Sequence, residues 1–170
     1  DLTTGRWTHI PEKFGSKDWE QEYLKWEYPD SLEKTVLSLD DFLLIKKMEK
    51  AFKEHPLAEA LFVDGKAEES FYAIDPETGL LIKCRTDYRK VTKNLRMISD
   101  WKSTQSAARE DFRKSITNYL YHLSAAYYKH ILKLVTGDDY EFIYAPIEKA
   151  DPIKMALYRA NEASIESGTN

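Results

Sequence analysis

The spacing of apolar positions changes period twice along the chain, and each change marks a set of elements. Residues 1–35 are charged and aromatic, with helical spacing around Trp19, Tyr23, Leu24 and Trp26. Ser38 followed by Asp41 has the form of a capping box. It opens a helix whose apolar positions are Phe42, Leu43, Ile45, Met48 and Phe52. His55-Pro56 stops this helix, and Pro56 suits the first turn of a short helix over 57–63. Residues 67–74 and 80–87 then read as two extended runs around Asp75-Pro76-Glu77-Thr78-Gly79, a turn sequence. After a polar connection at 90–94, a third strand runs over 96–102. Together 67–102 is expected to form a three-stranded antiparallel meander. From 107 to 135 the period is helical again, with Phe112, Ile116, Tyr119, Leu120, Leu123, Ala126, Tyr127 and Leu134 on one face and Gly137 as the C-terminal cap. Strands near 140–147 and 153–158 follow, and a last helix begins at Asn161. The order predicts an α/β fold, a central mixed β-sheet flanked by helices.

Composition narrows the class without naming a chemistry. At 170 residues the chain has the size of one domain, with a helical part over 1–63 and a sheet core over 64–170. Hydrophobic residues make up 42% and aromatics 13%, which suits a packed core. No apolar run approaches the ~20 residues that span a bilayer, and no secretory signal is visible. The single cysteine, Cys84, excludes an internal disulfide framework and a cysteine-built zinc site, and the chain is read as cytoplasmic. A net charge of −4 gives no global attraction to nucleic acid, so any such contact must be local.

The candidate chemistry sits at the strand ends. In Asp100-Trp101-Lys102 the alternation of a strand points Asp100 and Lys102 to one face and Trp101 to the other. A carboxylate can bind a hard cation while a neighbouring ammonium orients water and offsets phosphate charge. The same pair is equally an ordinary ion pair at a strand end. Asp87, at the end of the neighbouring strand, is expected beside Asp100. Two converging carboxylates repel unless a cation or proton lies between them, and an all-oxygen set favours Mg²⁺ or Mn²⁺ over zinc. Glu68 on the first strand is a third candidate acid. Lys83, Arg85, Arg89, Lys90, Lys93 and Arg96 cluster on the hairpin that carries Asp87 and would suit phosphates. On the long helix, Tyr127 belongs to the apolar stripe and Tyr128 to another flank.

Several motifs occur in order: Ala67-Glu68-Glu69-Ser70, Asp75-Pro76-Glu77-Thr78-Gly79, Cys84-Arg85-Thr86-Asp87, Asp100-Trp101-Lys102, and Tyr121-His122 through Tyr127-Tyr128. In this order and spacing the chain, from about Lys34 onward, resembles RecE-type (exonuclease VIII-like) phage exonucleases of the PD-(D/E)XK nuclease superfamily. The resemblance implies a metal-dependent exonuclease that degrades linear duplex DNA 5′-to-3′ in recombination. Asp87, Asp100 and the Trp101 backbone carbonyl would be metal ligands, Lys102 the catalytic lysine, Glu68 a supporting acid, and Arg85, Arg89, Lys90 and Lys93 DNA contacts. Tyr128 matches the tyrosine of a helical Gln-xxx-Tyr element, in which Ser124 replaces the glutamine. Thr86 stands where a proline is usual. The implied partners are DNA ends, a RecT-type single-strand annealing protein and further copies of the chain in a ring. The family also carries a metal-reaching histidine on an upstream helix. His9 does not match its surroundings, and that helix is expected to be missing from this chain, which opens on Asp1. Another PD-(D/E)XK endonuclease, or a nuclease-like DNA-binding module without turnover, are the alternatives.

Overall fold

The computed structural model describes residues 37–161, so the helical spacing around Trp19 to Trp26, His9 and a helix past Asn161 lie outside the described residues. The chain divides into two compact units, Asp1–Lys46 and Lys47–Asn170. Helix α1 (Leu39–Glu54) starts in the first. Ser38 caps the helix: its Oγ accepts the Asp41 N–H at 3.1 Å, one half of the expected capping box, and donates to the Asp41 carboxylate at 2.8 Å.

In the second unit, α2 (Ala58–Phe62) leads into β1 (Lys66–Ile74), β2 (Leu81–Val91) and β3 (Arg96–Thr104). These three form the expected antiparallel meander. Helices α3 (Arg109–Asn118) and α4 (Tyr121–Thr136) carry the chain back to β4 (Glu141–Glu148), which pairs parallel to β3. The short β5 (Tyr158–Arg159) closes the edge antiparallel to β4. The expected strand over 153–158 is otherwise reduced to a bridge between Ile147 and Met155. The result is α/β, a five-stranded mixed sheet in the order β1-β2-β3-β4-β5 flanked by helices.

The sheet buries both faces. On one, Phe71, Cys84, Ile98 and Phe142 pack with Phe112, Ala125, Ile131 and Leu132 from the helices. On the other, Phe52 and Phe62 meet Trp101, with ring centroids 5.5 and 4.9 Å away, and Phe62 also meets Tyr88 at 5.3 Å. The 96–102 alternation therefore holds: Trp101 faces away from Asp100 and Lys102.

Two expectations need correction. The helix over 107–135 is two helices, broken where Leu120 takes a left-handed backbone with φ 55°. The break resets the helical phase. An unbroken helix would carry the Phe112 and Ile116 face on to Tyr119, Leu123 and Tyr127. Instead α4 turns Tyr121, Ala125, Tyr128 and Leu132 inward, and Tyr119, Leu123 and Tyr127 are left 67%, 40% and 42% exposed. Tyr128, not Tyr127, packs on the core. Gly137 caps α4 as expected, at φ 74° with its N–H on the Lys133 carbonyl. The second correction concerns β2, which continues to Val91, so Asp87 lies inside the strand rather than at its end.

The β1–β2 ladder is irregular at one position. It pairs Ala67 with Tyr88 and Glu69 with Thr86, skipping Glu68 and Asp87, and Glu68 has φ 52°. A left-handed glutamate is strained, and its place opposite Asp87 reverses the face alternation of both strands. Thr86 and Cys84 point into the core before the irregularity, and Arg89 does so after it. There the Arg89 guanidinium lies over the Phe71 ring at 5.4 Å, clamps the Glu69 carboxylate through Nε at 2.5 Å and Nη2 at 3.1 Å, and reaches the Tyr140 hydroxyl at 3.2 Å.

Two consequences are measurable. A Cβ at Gly65 would sit 2.3 Å from the Tyr88 ring, which is itself held against Phe62, so Gly65→Ala should lower stability by about 2 kcal/mol in denaturant titration. Glu69 is held below the usual carboxylate range, chiefly by its hydrogen bond from Arg89. A depressed folded pKa gives stability that is present above the unfolded value and lost on acidification. Glu69→Gln should therefore cost about 1 kcal/mol near neutral pH, and its deficit against the wild type should shrink as pH falls below roughly 4.3.

Candidate active site

Asp100 and Lys102 project from one face of β3. The Lys102 ammonium lies 2.8 Å from Oδ1 and 2.7 Å from Oδ2 of Asp100. The carboxylate is buried, and Oδ2, though close to the ammonium, receives no well-directed hydrogen bond. Burial pushes the Asp100 pKa up, Lys102 pulls it down, and the nearby charge of Asp87 raises it again.

Asp87 reaches this carboxylate from β2. The β2–β3 register pairs Arg89 with Ile98 and Tyr88 with Ser99, then stops. One step further along that register, Asp87 and Asp100 face each other. There the Trp101 N–H hydrogen-bonds to the Asp87 side chain at 2.7 Å. The side chain thus replaces a ladder bond and fixes its own direction.

The other expected residues divide. Glu68 stands opposite Asp87 at the skipped ladder position and ion-pairs with Arg85 at 2.9 Å, both side chains exposed. Thr86 is buried and hydrogen-bonds to the Glu69 carbonyl at 3.4 Å, anchoring the residue before Asp87. Tyr128 is part-buried, its ring 6.4 Å from that of Phe142, and its hydroxyl pKa is raised first by burial and then by the charge of Asp100. Ser124 is exposed on α4.

Of the basic hairpin, Arg85 and Lys93 are exposed, as is Lys83. Arg89 is committed to Glu69 and Tyr140, and Lys90 is buried with its ammonium on the Ala60 carbonyl at 2.7 Å. Arg96 pairs with Asp138 at 2.8 Å. The patch open to a phosphate is thus smaller than the run of basic residues suggests, because strand alternation turns part of it into the fold.

Two residues around the site were given no role by the sequence pattern, although Tyr121 opens one of its motifs. Tyr144, paired with Asp100 across β3 and β4, is buried, and its hydroxyl donates to the Tyr121 carbonyl at 3.2 Å. Tyr121, the first residue of α4, places its ring 4.9 Å from the Lys102 ammonium.

The donors fit a hard divalent cation. Asp87, Asp100 and the Trp101 carbonyl offer oxygen only, and the buried Asp100 Oδ2 keeps a lone pair that no hydrogen bond uses. Among the described residues no three His, Cys, Asp or Glu side chains converge, so the side-chain donors here are the two aspartates.

A family model described as a PDDEXK-like domain of unknown function (DUF3799) matches residues 1–170. A crystal structure from Eubacterium rectale described as a "Putative exonuclease" aligns with 99% of this chain at a TM-score of 0.64 and 15% identity; the chain spans 66% of that structure's length. The likeness extends to the fold, a PD-(D/E)XK nuclease-like core. A second structure, SSO0001, aligns with 88% of this chain and 67% of its own at 17% identity, and its TM-score of 0.40 carries no weight. No curated protein matches the sequence.

A raised pKa at Asp100 means that its contribution to stability is full below the unfolded value and lost as pH rises through the folded one. In metal-free buffer, wild-type stability measured by denaturant titration should therefore fall as pH rises through the folded pKa of Asp100, and Asp100→Asn should remove that part of the pH dependence. Adding Mn²⁺ should raise the melting temperature of the wild type and leave the variant unchanged.

Proposed function

The chain belongs to the PDDEXK-like family DUF3799, within the PD-(D/E)XK nuclease superfamily, and from that membership we propose that it is a metal-dependent exonuclease that degrades linear double-stranded DNA. The observation that carries the reading is the convergence of Asp87, Asp100 and Lys102 from two neighbouring strands. Asp87, Asp100 and the Trp101 carbonyl would hold Mg²⁺ or Mn²⁺. Such an ion supplies a Lewis acid for the phosphate and a water of lowered pKa.

The chain's own residues do the rest. Asp87 is aimed by the Trp101 N–H, so one oxygen is tethered while the carboxylate plane is fixed. Lys102 carries a positive charge beside the two carboxylates, where it can orient water and neutralise charge that develops on a phosphate. Arg85 and Lys93, exposed on the hairpin strand and the turn after it, would meet the sugar–phosphate backbone without reading sequence. The resemblance to RecE-type enzymes supports 5′-to-3′ resection in phage-type recombination, with a RecT-type annealing protein as partner and a ring of copies around the duplex.

A second reading is a nuclease-like DNA-binding module without turnover. It is favoured by the two-aspartate donor set, which lacks a third converging side chain among the described residues. The experiment separates the two. With Mg²⁺, linear duplex DNA should be lost from its ends while closed circular duplex persists. Lys102→Ala should lower turnover by about 10³-fold and leave DNA affinity within about twofold. Charge reversal at Arg85 and Lys93 should weaken binding about tenfold at low salt and flatten its salt dependence. Binding without nucleotide release under any divalent metal decides for the inactive module, and cutting of closed circles decides for an endonuclease.

A further inference from the structure

Lys102 is a long side chain inside β3, 27% exposed, and among the described residues its ionic partner is Asp100. In the nuclease reading, on which this inference rests, Asp100 turns its oxygens to a cation. The ammonium then loses the carboxylate that holds it, and a free lysine side chain is spread over many rotamers. Something else must keep it in place.

The Tyr121 ring is the group in position to do so. The ammonium lies 4.9 Å from its centroid, within cation–π range. The ring is itself fixed from several sides. It stacks with Tyr119 at 5.5 Å and 25°, and lies 6.3 Å from Phe112, which is buried in the core. The Tyr121 carbonyl accepts the hydroxyl of the buried Tyr144, the residue beside Asp100 on β4. The helix break supplies the register: the left-handed Leu120 starts α4 at Tyr121 and brings that residue to the inner face. An unbroken helix, with its phase carried on from Phe112 and Ile116, would present Tyr119 or Leu120 there instead.

We propose that Tyr121 is a positioning residue for Lys102, its ring face holding the ammonium at the site once Asp100 is engaged by metal. The interaction needs a ring and not a hydroxyl. Tyr121→Phe should therefore behave as wild type, while Tyr121→Leu, apolar but without a ring, should not.

Two readouts test this. In metal-free protein, NMR of the lysine ε-methylene should show Lys102 shifted upfield by the ring in the wild type and in Tyr121→Phe, and moved to the ordinary lysine position in Tyr121→Leu. With Mg²⁺ and linear duplex, Tyr121→Leu should lower kcat about tenfold with KM unchanged, and Tyr121→Phe should restore it. Tyr121→Met serves if the leucine variant does not fold. Equal Lys102 shifts in all variants, or equal kcat for Leu and Phe, overturns the proposal. If the wild type itself releases no nucleotides, the nuclease reading falls, and the NMR comparison repeated with Mg²⁺ added decides: a Lys102 shift kept in the wild type and lost in Tyr121→Leu supports the ring contact, and a shift lost in the wild type overturns it.

Discussion

Two carboxylates presented side by side from adjacent strands repel each other, and the neighbourhood of Asp87 and Asp100 is organised around that repulsion. Asp100 is buried, so water screens the charge of Asp87 only weakly there. Lys102 offsets it from the same strand face, and the Trp101 N–H draws Asp87 into a fixed direction. The packing behind the site rests on Phe142 and Ile98 of the sheet and Leu132 of α4, all buried.

The irregular ladder position belongs to the same arrangement. Regular pairing through Glu68 and Asp87 would keep one alternation along the whole of β2. Skipping both residues lets Cys84 and Thr86 face the core before Asp87 and Arg89 face it afterwards. The Arg89–Glu69 clamp lies one residue beyond the left-handed Glu68, on the same two strands.

The parts of the site that rest on period-two alternation were legible in the sequence. Asp100, Trp101 and Lys102 sort to opposite faces as the strand pattern requires, and the meander brings Asp87 to Asp100. The parts that rest on a break in pattern were not. Leu120 adopts a left-handed conformation without a glycine or proline to announce it, so the helix reads as continuous and the roles of Tyr121, Tyr127 and Tyr128 are displaced. Arg89 and Lys90 read as a basic surface because the run of charges shows nothing of Glu69 or the Ala60 carbonyl awaiting them. Each of those partners lies on another element, and only the tertiary register joins them.

The parallel pairing of β3 with β4 also sets an order of assembly. The β1–β2–β3 meander closes through short turns, and its ladder places Asp87 beside Asp100 from local contacts. Tyr121 and Tyr144 arrive only when the whole of 105–140 has wound back to lay β4 along β3, a closure with a larger loop-entropy cost. A chain caught before that step has its two carboxylates already adjacent, with no tyrosine wall beside them and one sheet edge open. The crossover is thus the stage that adds Tyr121 and Tyr144 to a pair of acids already in place.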